Sequence, residues 1–114
     1  MNPKIIVEDM NNGYINLFKE WFFYRWYEYS AIWLNQLTTY KLMLDLYKKE
    51  NKILLTCWFP ENQLEKIEQL LQNKNIAYRI FEKDESKNKV FDWKNKIEIN
   101  KQKLTEIKQK LIKF

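Results

Sequence analysis

Histidine is absent from this 114-residue chain, which also has one glycine, one cysteine and two prolines. Without histidine, the commonest general base and the commonest transition-metal ligand are both missing, which removes most hydrolase arrangements and the usual zinc sets. The only serines, Ser30 and Ser86, have no base to activate them and no nucleophile-elbow sequence around them. A single glycine cannot build a phosphate-cradling loop or a dinucleotide fingerprint, so the common nucleotide-binding motifs are excluded. One cysteine cannot close an internal disulfide. Cys57 lies in the apolar run Ile53-Leu54-Leu55-Thr56-Cys57-Trp58-Phe59, which reads as a buried small hydrophobe in a reducing compartment. The start of the chain reaches Glu8 and Asp9 before a signal-peptide core could form, and no uncharged run approaches a membrane span. A cytoplasmic protein is expected, with no catalytic residues, no cofactor and no metal.

The carboxylates do not restore a chemistry. Glu82, Asp84 and Glu85 fall in one segment but are interrupted by Lys83 and followed by Lys87, which reads as a solvated charged turn. Metal-dependent phosphodiester chemistry needs acids converging from neighbouring strands, and no spacing here identifies such a set.

What the chain does have is lysine at one end and aromatic rings in the middle. Its formal charge is +5, yet residues 94–114 hold seven lysines against Glu98 and Glu106, so residues 1–93 are neutral. Val90, Trp93, Ile97, Asn100, Leu104, Ile107, Leu111 and Phe114 recur at three-four spacing and predict a basic amphipathic helix over 90–114. Flanking that seam are Lys94, Lys96, Lys101, Lys103, Lys108 and Lys110, with no acid in either row. Such an edge should attract an acidic surface, from this chain or another. Glu61, Glu65 and Glu68 are the natural internal complement to one row.

Twelve of the nineteen aromatic residues lie between Tyr14 and Tyr47. Ile15, Phe18, Phe22, Trp26, Tyr29, Trp33, Leu37, Tyr40, Leu44 and Tyr47 follow three-four spacing without Gly or Pro, which predicts one long helix from about Tyr14 to about Lys49. The strand-favouring aromatics of 22–29 leave a second strand there as the alternative. Trp21, Tyr24, Arg25 and Tyr27 include rings outside the stripe and, with Arg25, form a candidate partner-binding patch of hot-spot residue types.

Elsewhere, Lys4 to Asp9 reads as a short strand, Lys52 to Phe59 as a buried strand, Pro60 to Asn73 as a helix with Leu64, Ile67, Leu70 and Leu71 inward, and Ile76 to Glu82 as an alternating strand. Residues 52–82 then form a strand-helix-strand unit with a parallel crossover. The expected whole is a single α+β domain over 1–114: a small two- or three-stranded mixed sheet, a long aromatic-rich helix and a basic C-terminal helix. Its expected function is non-enzymatic binding, as an inhibitor or adaptor occupying an acidic protein or ribonucleoprotein surface, in the style of the small anti-defence (anti-CRISPR-like) proteins of phages and mobile elements. The alternative is direct nucleic-acid binding through the lysines and rings. Membrane binding is the least favoured use of the basic edge.

Overall fold

A computed structural model describes residues 13–48, 51–92, 95–97 and 101–112. The strand expected over Lys4–Asp9, and Trp93, Lys94 and Asn100, lie outside the described residues.

The class is α+β, but the sheet is larger than expected and the long helix does not exist. The stretch read as one helix instead gives β1 (Ile15–Glu20), β2 (Phe23–Tyr27), α1 (Tyr29–Leu37) and β3 (Met43–Tyr47). There follow β4 (Lys52–Pro60), a 3₁₀ turn at Glu61–Gln63, α2 (Leu64–Asn73), β5 (Tyr78–Phe81), a 3₁₀ turn at Glu85–Lys87, β6 (Lys89–Phe91) and α3 (Lys101–Ile112). The six strands form one sheet in the order β3-β4-β2-β1-β5-β6. β1 and β5 are parallel and the other four pairings are antiparallel.

The physical reason for the misreading is burial on both faces. Ile15, Asn16, Leu17 and Phe18 are all buried, so β1 shows no alternation, and its apolar positions fall by coincidence on helical spacing. Phe, Tyr and Trp through 22–29 follow their strand preference. Positive φ at Trp21 (55°) and Glu28 (53°) turns the chain before and after β2, where a continuous helix is impossible.

The expected strand-helix-strand unit is present as β4-α2-β5, with β5 starting two residues later than expected. Tracing the pairings from β4 through β2 and β1 to β5 makes β4 and β5 parallel, but the connection skips over two intervening strands. Pro60 ends β4 rather than starting the helix.

Alternation sorts the sheet into two faces. Ile15, Leu17, Tyr24, Trp26, Cys57, Phe59, Tyr78 and Ile80 pack with Ala31 and Leu34 of α1, Ile67 and Leu71 of α2, and Leu104 of α3. On the opposite face Phe18, Tyr27 and Leu54 form a smaller cluster with Tyr47 and Phe81, to which no described helix contributes. Trp26, Tyr78 and Phe59 are the largest fully buried side chains, and truncating a ring of this kind costs about 3–5 kcal/mol.

The predicted helix over 90–114 is shorter than its heptads. Val90 belongs to β6. Asn95 to Ile97 is not helical: Asn95 bridges to Ile76 in parallel, and the Ile97 N–H donates to the Gly13 carbonyl at 2.8 Å. That close passage explains the one glycine, because at φ 96° a Cβ on Gly13 would sit 2.8 Å from the Cβ of Lys96. Among the described residues, the helical part of the seam is 101–112, with Leu104, Ile107 and Leu111 half-buried on α3. None of the described helices is long and apolar enough to cross a membrane.

Candidate functional site: an aromatic hairpin tip

β1 and β2 pair up to Glu20 and Phe23, leaving Trp21 and Phe22 as a two-residue hairpin loop. Loops of this length favour Asn, Asp and above all Gly, because at least one central residue takes positive φ. Here that residue is Trp21, and a bulky side chain in the left-handed region costs about 1–2 kcal/mol. Neither ring recovers the cost by burial: Trp21 is 72% exposed and Phe22 76% exposed.

The tip continues onto the sheet face opposite the described helices. Phe23 lies beside Trp58 of β4, ring centroids 5.4 Å apart, and Trp58 is 42% exposed. The Arg25 guanidinium sits 5.4 Å from the Phe23 ring centre and pairs with Asp45 at 3.3 Å and Glu20 at 3.4 Å. On the other flank the Lys83 ammonium stands 4.4 Å from the Trp21 ring centre. Phe18, Lys19, Glu20, Trp21, Phe81, Glu82 and Lys83 surround a cavity of about 380 Å³. Charge around the tip is balanced: Lys19 pairs with Glu61, Arg25 with two acids, and Glu82, Asp84 and Glu85 neighbour Lys83.

Two of the four residues expected in the aromatic patch are core instead. Tyr24 points to the helix face and donates to Glu82 at 3.0 Å, and Tyr27 lies in the second cluster and donates to Glu20 at 2.9 Å. Both are buried: alternation places Tyr24 on the helix face between Lys19 and Phe59, and Tyr27 against Phe18. Burial pushes both hydroxyls well above the ordinary tyrosine value, and the neighbouring carboxylates add to it. Trp21 lies in the hairpin loop, and Arg25 lies within β2 next to it. Phe22, Phe23, Trp58 and Lys83 were missed. Trp58 had a signal: once 52–60 is read with a period of two, it points opposite to Cys57 and Phe59.

The lysines are elsewhere and do not act as one row. Lys108 is half-buried and donates to Glu28 at 2.7 Å, a carboxylate almost wholly enclosed at the far end of β2. That end lies roughly 20 Å from the hairpin tip at about 3.3 Å per residue. Lys101, Lys103 and Lys110 are exposed on α3, and Lys94 lies outside the described residues. Lys96 pairs with Asp92 and stands 3.7 Å from the Tyr14 ring centre, and its hydrogen bond holds the Asp92 carboxyl below its ordinary value. Of the proposed glutamate complement, Glu61 pairs with Lys19 and Glu68 accepts from the Tyr78 hydroxyl.

Among the described residues no group of three His, Cys, Asp or Glu is placed to hold a metal ion. Asp84 is taken up by Ser86, whose N–H and hydroxyl both donate to it. Cys57 is fully buried, which pushes its thiol up to about 11, the opposite of an activated nucleophile. No known family model matches the chain, and no curated protein matches it in sequence.

Proposed function

We propose that this chain is a small non-enzymatic binding protein, an inhibitor or adaptor, that docks on a protein or ribonucleoprotein surface through the β1–β2 hairpin tip. The observation that carries this reading is Trp21-Phe22: two bulky rings, one backbone-strained and both exposed, in a loop where small residues are favoured. Strain kept without an internal gain points to use by a partner. Trp and its Arg and aromatic neighbours are the residue types that anchor interfaces, and the balanced charge around them suits a protein surface better than a phosphate backbone. The reading also accommodates a cytoplasmic inhibitor of the anti-defence kind.

The test is the double variant Trp21→Gly with Phe22→Ser. Glycine relieves the positive φ, so the melting temperature should hold or rise. Partner capture from the native host after nuclease treatment should fall at least about tenfold, because losing one such anchor costs about 2 kcal/mol or more in typical interfaces. Equal capture by variant and wild type would remove the tip from the binding surface.

A second reading, direct nucleic-acid binding, is favoured by one observation: Phe23, Arg25 and the exposed Trp58 lie together on the sheet face opposite the helices, where rings could stack bases. Binding of single-stranded oligonucleotides lost on Trp58→Ala, with affinity falling steeply with salt, would support it over the first.

A further inference from the structure

A second cavity, of about 560 Å³, lies between α2 and the segment that leaves α1, and it shares no lining residue with the one at the hairpin tip. Its volume is in the range of small-molecule sites. Both walls are held in place. On one side the Thr38 hydroxyl donates to the Leu34 carbonyl and accepts from the Tyr40 N–H at 3.2 Å, while the Asn35 amide donates to the Tyr40 carbonyl at 3.0 Å. The Tyr40 ring rests near Phe59 of the core, centroids 6.0 Å apart. On the other side α2 is pinned by buried Ile67 and Leu71. The cavity is therefore built into the fold before any ligand arrives.

Its lining combines apolar surface with one charge. Leu37, Tyr40, Ile67 and Leu70 supply the apolar surface, Lys66 is the one charged side chain, and no acid lines the cavity. Lys66 pairs with no acid among the described residues. It stands in the first turn of α2, where the helix dipole adds to its positive potential. At the other end of the same helix face Gln69 donates to Asn73 at 3.1 Å, so that end is neutral. From Lys66 to Asn73 the helix spans about 10 Å, which with the cavity volume gives a cross-section roughly 7 Å wide, room for a ring system. We propose that this cavity binds a small apolar monocarboxylate with an aromatic or alicyclic body, its carboxylate at Lys66 and its body against Leu70 and the Tyr40 ring. One lysine balances one negative charge, which favours a carboxylate over a phosphate, whose recognition draws on several cations or backbone N–H groups.

Naphthaleneacetate and its neutral counterpart naphthaleneacetamide test this, read by amide chemical shifts of the isotope-labelled full-length protein. Saturable shifts should fall on residues 37–40 and 66–73, with a Kd for the acid of about 0.1–1 mM. The acid should bind about two- to fivefold tighter than the amide, as one exposed ion pair allows, and high salt should shrink that preference. Lys66→Gln should erase the preference and leave amide binding unchanged. Thr39→Trp should weaken both ligands at least about fivefold by filling the cavity with a ring. Lys66 and Thr39 are both exposed, so neither variant threatens the fold. Absence of saturable shifts in those two segments overturns the proposal. So does equal binding of acid and amide, a preference that survives Lys66→Gln, or binding that survives Thr39→Trp unchanged.

Discussion

Among the described residues, four non-glycine residues hold positive φ, and their chemistry separates routine turns from costly ones. Asn51 and Asn75 close turns with the residue type that tolerates the left-handed region best. Glu28 accepts the same strain and delivers its carboxylate to Lys108, whereas Trp21 accepts it and delivers its ring to solvent. Burial has a second residue-scale consequence. Tyr24, Tyr27 and Tyr78 are enclosed, and burial raises all three hydroxyls above the ordinary value of 10.0. Since the folded pKa exceeds the unfolded one, the unfolded state loses these protons first. Their contribution is therefore complete below about pH 10 and is lost as pH rises through the folded values. Tyr24, Tyr27 and Tyr78 should resist ionisation in a spectrophotometric titration of the native protein. The urea midpoint should fall between about pH 9 and about pH 11. A titration in which all seven ionise together near the ordinary value would refute their burial.

At the scale of elements, Lys108 ties the C-terminal helix to the end of β2 through its ion pair with Glu28. Leu104, Ile107 and Leu111 face inward, and Lys108, one position on from Ile107, lies close enough to reach Glu28. An ion pair enclosed on both sides is costly to halve, because removing one partner leaves the other charge desolvated. Lys108→Ala should lower stability by about 2 kcal/mol, while Lys110→Ala on the exposed side should stay within about 0.5 kcal/mol. Denaturant melts of both variants check this, and equal effects would show that Glu28 does not single out Lys108. The heptads foretold the inward face of α3 but not where it begins, since Val90 and Ile97 match the spacing while their backbones serve β6 and the passage past Gly13.

For the whole molecule, the order of the sheet sets the order of local stability. β1, β2, β4 and β5 are interior strands paired on both sides, although β5 has the short β6 as its outer partner, whereas β3 and β6 have one partner each among the described residues. Amide exchange should be slowest in β1, β2 and β4 and fastest in β6 and on the outer side of β3. Equal protection across all six strands would contradict the topology.

The chain by itself determined the α+β class, the β4-α2-β5 unit, the inward face of α3, the inert placement of Cys57 and the lack of the residues that most enzymes need. Each of these rests on composition or on a single local period, which neighbours in sequence are enough to express. Where an element is buried on two faces, the period vanishes, and 14–47 then reads as one long helix although it holds three strands and a short helix. Only tertiary pairing chose between them: β1 lies between β2 and β5, and β2 between β1 and β4, so their backbone groups find partners on both sides and their rings find cover on both faces. The same pairing decided which rings are functional candidates. Tyr24 and Tyr27 are covered by their strand neighbours, while the hairpin turn directs Trp21 and Phe22 outward, because a two-residue loop has no neighbouring strand to bury them.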